Sequence, residues 1–230
     1  MLGYDLLYPL IFLRSLLLGF GTATLAMLCA LPLAFFLARL PARWKTTALT
    51  LVMIPFWTNL LIRTYAWQIL LAPEGWLARS AATLGFIDAG GALYPGDVAV
   101  YLCMVCDYLP FMALPLYASV EKLDWTLVEA AMDLGANGWK VFRHAVFPQI
   151  KPGLVTGFLL VFLPATGQFV IPDLLGGAKT VLLGNAIQQQ FGASLDWPFG
   201  SAIAVVSLAL VGIGLWIFAR QAGGKEIEIL

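Results

Sequence analysis

Long intervals without a charged residue constrain the fold of this chain more than any other feature. No charge occurs between Arg14 and Arg39, and the interval from Val98 to Val120 contains only Asp107. About 20 consecutive apolar residues are enough to cross a bilayer as an α-helix. The composition agrees, because 61% of the residues are hydrophobic and only 11% are charged, unlike a soluble domain. The sequence therefore predicts an all-α polytopic membrane protein.

The apolar intervals predict about five transmembrane helices within one transmembrane domain that covers residues 1–230. Their approximate bounds are 15–38, 46–72, 98–120, 152–172 and 198–219. Pro55 interrupts the second span. The segment from Glu74 to Asp97 is polar and aromatic, and it predicts an external loop with a short interfacial helix. The apolar segment from Leu182 to Phe191 is too short to cross and predicts an interfacial or cavity-lining helix.

Lys and Arg residues lie mostly on one side of these spans, which sets the orientation. The loops on that side contain Arg39, Arg43, Lys45, Lys122, Lys140, Arg143, Lys151, Arg220 and Lys225. The opposite loops contain only Arg79 and Lys179. Cytoplasmic loops are enriched in Lys and Arg. We therefore expect the loop at 121–151 and the C-terminus in the cytoplasm, and the protein in the cell inner (plasma) membrane.

The loop at 121–151 is the longest charged interval, and it predicts two short helices separated by a glycine break. Thr126 and Glu129 have the spacing of a capping box, and Asp124 could cap the same turn. Gly135 can end the first helix in a left-handed conformation. Asn137 can cap the second helix, which a proline near its end is expected to stop.

Two small side chains give the first of these helices an accessible surface. Ala130 and Ala131 follow Glu129 directly and leave one side of the helix almost without side-chain bulk. The backbone of another protein can approach such a surface closely. The loop is therefore a candidate docking element.

This loop resembles the cytoplasmic loop of bacterial ABC importer permeases. That loop has Glu-Ala-Ala, three residues, Gly, nine residues, and then Ile-x-Leu-Pro. Glu129, Ala130, Ala131, Gly135 and Pro148 occupy the matching positions. In this family the motif is the coupling helix that contacts the ATPase, and the resemblance implies that role for these five residues.

Motifs elsewhere in the chain resemble the spermidine/putrescine type of this permease family. They are Pro55-Phe56-Trp57-Thr58-Asn59, Arg63-Thr64-Tyr65-Ala66-Trp67, Leu109-Pro110-Phe111-Met112, Asp173-Leu174-Leu175-Gly176-Gly177-Ala178 and Asp196-Trp197-Pro198-Phe199-Gly200-Ser201-Ala202. Such permeases usually have six spans. Either a sixth, N-terminal span precedes this start, or the protein works with five.

The resemblance implies a permease subunit of an ATP-driven importer, with a polyamine as the favoured solute. Opines and iron chelates remain open as alternatives, and so does a channel or a membrane enzyme outside this class. The implied partners are a second permease subunit, identical or different, two ATP-binding subunits, a periplasmic or lipoprotein solute-binding protein, and membrane lipid.

Catalysis by this chain is not expected. It has no Gly-rich phosphate loop, so ATP and Mg are expected on the partner subunits and no cofactor on this chain. The formal net charge is zero, which gives no bulk attraction for nucleic acid. Cys103 and Cys106 form a CxxC pair inside an apolar span without the further ligands of a zinc site.

Four polar residues near the spans are candidates for the substrate path. Asp107 lies deep in the third span, where a carboxylate is costly and usually faces a cavity or a partner. It is either a site for a cationic substrate or a buried structural acid. Asn59 lies near the external end of the second span, and Gln168 and Asp173 lie near the outer end of the fourth, where they could line a vestibule.

Overall fold

The computed structural model describes residues 7–85, 93–177 and 182–222. These residues are almost entirely helical, and no strand occurs among them. In chain order the helices are α1 (Leu7–Arg39), α2 (Ala42–Met53), α3 (Leu60–Leu71), α4 (Trp76–Thr83), α5 (Asp97–Glu121), α6 (Trp125–Asp133), α7 (Gly138–Val141), α8 (Phe147–Gly167), α9 (Val170–Leu175), α10 (Leu183–Gly192) and α11 (Trp197–Ala222).

Four helical stretches within the described residues are long and apolar enough to cross a membrane. They are Tyr8–Arg39, Asp97–Glu121, Gly138–Gly167 and Trp197–Gly214, with mean hydropathies of 2.0, 1.7, 1.6 and 1.8. The broken pair Ala42–Trp57 and Leu60–Thr83 makes a fifth span if it is counted as one. The predicted all-α polytopic fold is confirmed.

The predicted second span at 46–72 is not one continuous helix. After α2 the chain forms a 3₁₀ turn at Ile54–Trp57, and Thr58 and Asn59 are extended, with ψ of 150° and 133°. Pro55 lacks an N–H donor, and Asn59 caps a new helix. The interruption predicted at Pro55 is therefore a break between two helices.

The predicted fourth span at 152–172 differs at both ends from the observed helix. The helical stretch begins at Gly138 and ends at Gly167, and α9 follows after a break at Gln168 and Phe169. Pro148 does not stop the second helix of the charged loop, because a wider turn at Phe142–Val146 precedes it and the helical stretch continues to Gly167.

The segments outside the long helices contain the two short helices that the sequence predicts. α4 lies within the segment predicted as an external loop, and α10 has ten residues, too few to cross. Two of the cations on which the predicted orientation depends, Lys179 and Lys225, lie outside the described residues. The C-terminal segment 223–230 lies outside them as well.

The chain divides into two compact units. Unit 1 contains residues up to 21, residues 59–104 and residues from 163 onward, and unit 2 contains Thr22–Thr58 and Val105–Phe162. The long helices α1, α5 and α8 each contribute to both units. Hydropathy records membrane depth and carries no information about this division.

Small residues let the helices of unit 2 pack closely. Ala23, Ala26, Ala30 and Ala34 are fully buried along one stripe of α1, in one cluster with Met112, Leu116 and Ile150. On α8, a Cβ at Gly153 would lie 2.6 Å from the carbonyl oxygen of Pro115, and one at Gly157 would lie 3.1 Å from that of Met112. Such close helix contact needs residues without a side chain at both positions.

Backbone groups in unit 1 are paired by polar side chains from distant helices. The Ser15 hydroxyl of α1 accepts from the N–H of Leu183 at 2.7 Å and donates to Ile11 O at 3.1 Å. The Gln68 amide of α3 donates to Leu174 O at 2.7 Å. These bonds join α1 to α10 and α3 to α9, where unpaired groups would be costly.

Candidate functional site

The helix α6, which carries the Glu-Ala-Ala motif, begins at an aspartate cap. Asp124 Oδ1 accepts from the N–H of Thr126 at 3.0 Å and from its hydroxyl at 2.6 Å. The hydroxyl contact, followed by the backbone one, lowers the pKa of Asp124 below its usual value. The alternative capping box of Thr126 with Glu129 is wrong, because the helix starts one residue before Thr126. The carboxylate of Glu129 is thus left out of the cap.

The same helix ends in a Schellman motif at Gly135. Gly135 has φ of +77°, its N–H donates to Met132 O at 2.9 Å, and the N–H of Ala136 donates to Ala131 O at 3.1 Å. These are the two bonds that define the motif. The prediction that Gly135 ends the helix in a left-handed conformation is confirmed.

The second helix of the loop, α7, begins at Asn137 and continues into α8. Asn137 Oδ1 accepts from the N–H of Lys140 at 3.0 Å, which confirms the predicted cap. Residues Phe142–Val146 form a π turn in which the N–H of Phe147 bonds to Phe142 O. A wider turn at this place accommodates Pro148, which offers no N–H to the preceding turn.

One side of the α6–α7 hairpin is apolar and exposed. Leu127, Met132, Leu134 and Trp139 are 54%, 55%, 88% and 69% exposed. Glu129 and Ala130 are exposed beside them, and Ala131 is half-buried. Within the described residues Glu129 has no hydrogen-bond or ion-pair partner. An exposed apolar surface of this kind marks an interaction site, and we call these seven residues the docking face.

The opposite side of the hairpin is fixed to unit 2. Val128, Val141 and Val146 are at most 7% exposed and belong to the main core cluster of this unit. Gln149 Oε1 of α8 accepts from the N–H of Asp124 at 2.9 Å. The hairpin is therefore packed firmly against unit 2. Sequence reasoning missed Gln149, whose only signal was a polar residue between Pro148 and Ile150.

Of the candidate path residues, Asp107 is the one inside a long apolar helix. It lies within α5 and is 5% exposed. A carboxylate at such a position costs a few kcal/mol on insertion scales and marks functional sites in many membrane proteins. Asp107 belongs to unit 2, whereas the other three candidates belong to unit 1.

Asn59 has a structural role at the break that precedes α3. Its Oδ1 accepts from the N–H groups of Leu61 at 2.8 Å and Ile62 at 3.4 Å. The side chain is thereby the N-cap of α3, and its oxygen is already engaged. The amide nitrogen remains exposed beside it, so a role in the path would use a donor.

Gln168, Asp173 and an unpredicted residue, Asn185, lie together in unit 1. Gln168 Oε1 accepts from the N–H groups of Phe169 and Val170 at 3.1 and 3.3 Å. The Asn185 amide donates to Phe169 O at 3.4 Å and approaches Asp173 Oδ1 at 3.5 Å. The structure thus brings the two predicted residues to one place. Asn185 had only the weak signal of an amide in a short apolar helix.

Metal chemistry has no candidate group in the described part of the chain. No cluster of three or more His, Cys, Asp or Glu side chains occurs there. Cys103 is buried, and Cys29 and Cys106 are exposed.

The arrangement of helices matches that of a solved transporter. A bacterial alginate ABC transporter, in complex with an alginate pentasaccharide-bound periplasmic protein, contains a chain that superposes with a TM-score of 0.61 at 17% identity. The match covers 93% of this chain and 75% of that one. At this identity the match shows that the two chains share a fold.

The family follows from sequence similarity. Residues 30–222 match the family described as "Binding-protein-dependent transport system inner membrane component". The chain belongs to this family and is the permease subunit of an ABC importer, a transporter component and not an enzyme.

The similarity to curated relatives extends over almost the whole chain. The spermidine/putrescine transport system permease protein PotB of Escherichia coli (strain K12) is 40% identical over 227 residues, which is 98% of this chain and 82% of that protein. PotB of Salmonella typhimurium (strain LT2) is 42% identical over 218 residues, or 95% of this chain and 76% of that protein. The resemblance drawn from the motifs is confirmed.

Proposed function

We propose that this permease imports a polyamine by alternating access, driven by ATP hydrolysis on partner subunits. The docking face on α6 and α7 carries this proposal. It is mostly apolar and exposed, and the opposite side of the hairpin is packed in the core of unit 2. A movement of a bound ATP-binding subunit would therefore be passed to the spans of that unit. Glu129, Ala130, Ala131 and Gly135 make the contact with an ATP-binding subunit or shape it, and Pro148 sets the connection to α8.

Membership of the importer permease family supports the partners of the proposed complex. Two ATP-binding subunits hold ATP and Mg, a second permease subunit completes the path, and a solute-binding protein delivers cargo from outside. The Lys and Arg distribution supports a cytoplasmic docking face and C-terminus. A periplasmic protein is bound in the similar alginate transporter, which supports the delivery step.

The nature of the cargo is supported by similarity and by the acidic residues. PotB, at 40% identity, is named for spermidine and putrescine, which carry ammonium groups. In unit 2 the carboxylate of Asp107 would attract such a cation. In unit 1 Asp173 offers a second carboxylate, and Gln168 and Asn59 offer polar groups. An opine or an iron chelate is the second candidate.

The test is uptake into proteoliposomes that contain the complete transporter, its binding protein and internal ATP. We expect saturable, ATP-dependent uptake of labelled spermidine or putrescine that excess unlabelled polyamine abolishes and an opine does not. Uptake of an opine or a ferric chelate without polyamine uptake would replace the proposed cargo.

One variant in the same assay tests the path. Asp107→Asn preserves shape and removes the charge, so we expect lower polyamine uptake per assembled complex with unchanged assembly. Undiminished uptake per complex would make Asp107 a structural acid, as would a loss of assembled complex alone.

A further inference from the structure

Side chains from α1, α2 and α5 meet at the N-terminal end of the docking helix α6. Lys45 Nζ of α2 donates to Glu121 Oε1, on the last residue of α5, at 2.8 Å. The guanidinium of Arg39, the last residue of α1, lies 5.9 Å from the ring centroid of Trp125, the first residue of α6. At this distance a cation and an aromatic ring attract each other. We call these two contacts the anchor pairs.

The surroundings of the anchor pairs hold Glu121 and α6 in place. The Tyr117 side chain, one turn earlier on α5, interacts with the carboxylate of Glu121. Gln149 fixes the turn between α5 and α6 through Asp124, and its own amide is held by Ala145 O at 2.8 Å. The end of α1 therefore contacts the first residue of α6, and the start of α2 is linked to the end of α5, four residues before α6. The start of α8 is linked to the turn between α5 and α6.

The anchor pairs border open space, unlike the buried side of the hairpin. A cavity of about 490 Å³ is lined by Ala38, Arg39, Lys45, Val120, Glu121 and Trp125. The side chains of Lys45 and Glu121 are 26% and 43% exposed. They can change rotamer without opening the core, and a partly exposed ion pair contributes little to folding.

We propose that the anchor pairs Lys45–Glu121 and Arg39–Trp125 are positioning contacts that transmit movement of α6 to α1, α2 and α5. The inference rests on the proposed docking role of α6. Transmission needs a physical connection with two arrangements that both ends can bias. The core cluster attaches the hairpin to the unit. The Arg39–Trp125 pair connects α6 directly to α1, and the Lys45–Glu121 pair connects α2 to the end of α5, from which the chain enters α6. Both pairs border open space and can open and close.

The test compares single and paired substitutions in the reconstituted transporter. The single variants are Lys45→Glu, Glu121→Lys and Arg39→Gln, and the paired variant combines Lys45→Glu with Glu121→Lys. Lys122→Glu is the matched control, because Lys122 is an exposed cation next to Glu121 and outside the anchor pairs. Three quantities are measured: assembled complex, ATP hydrolysed, and cargo imported per ATP.

We expect each single variant to lower cargo imported per ATP by between about two-fold and about thirty-fold, the range for mutations along a coupling path. Assembly should stay normal, and the control should match the wild type. The paired variant should recover most of the lost import per ATP. Unchanged import per ATP in the single variants overturns the proposal, and so does a loss of assembled complex with unchanged import per ATP. Failure of the wild type to import any cargo with ATP would instead refute the proposed function.

Discussion

At the scale of single residues, the docking hairpin depends most on the backbone of Gly135. Its φ of +77° lies in the left-handed region, and a Cβ added there would meet nothing within 4 Å. A substitution at Gly135 therefore destabilises the turn through the backbone conformation and not through a steric clash. The two bonds of the Schellman motif hold α7 against the end of α6, and they exist only in this conformation.

Gly135→Ala should weaken this turn by roughly 1–2 kcal/mol, the cost of a left-handed conformation for an L-residue. We expect reduced co-purification of the ATP-binding subunit and reduced import, with normal membrane insertion. Gly135→Asn is the matched variant, because asparagine enters the left-handed region more readily. Equal co-purification in the wild type and both variants would remove this turn from the docking site.

At the scale of elements, the π turn at Phe142–Val146 sets how the docking face is oriented relative to α8. One residue of an α-helix corresponds to a rotation of about 100°. A π turn therefore presents α7 at a different angle from a regular helix. Because Pro148 withholds a hydrogen-bond donor directly after this turn, it favours the wide turn over the regular one.

Pro148→Ala restores that donor, and a gained hydrogen bond contributes about 1 kcal/mol net. We expect the variant to be at least as stable to heat as the wild type, yet to bind the ATP-binding subunit less well because the docking face is turned away. Pro152→Ala is the control, since Pro152 lies in the regular part of α8. Wild-type binding by the Pro148 variant would show that the π turn has no part in docking.

The local elements of the hairpin could be predicted because their causes are local. The caps at Asp124 and Asn137 and the turn at Gly135 each involve residues at most a few positions apart. The break at Thr58 and Asn59 could not be read from hydropathy, which is high on both sides of it. Asn185 and Gln149 find their partners 12 and 25 residues away, so their roles needed the tertiary structure.

At the scale of the whole molecule, the orientation in the membrane decides whether the docking face can meet ATP. The exposed cations Arg43, Lys122 and Lys140 flank the same ends of the long helices as the docking face. The preference of Lys and Arg for cytoplasmic loops supports the proposed cytoplasmic location of this side. The sequence predicts an external loop at 74–97.

Single cysteines report this orientation directly in a background where Cys29, Cys103 and Cys106 are replaced by alanine. Ala42→Cys and Asn137→Cys, both at exposed positions, should react with an impermeant thiol reagent only in inside-out vesicles. Glu74→Cys, exposed before α4, should react in intact cells. An excess of permeant reagent afterwards shows that every site is reactive. Labelling of Asn137→Cys in intact cells would place the docking face outside, where no ATP-binding subunit could reach it.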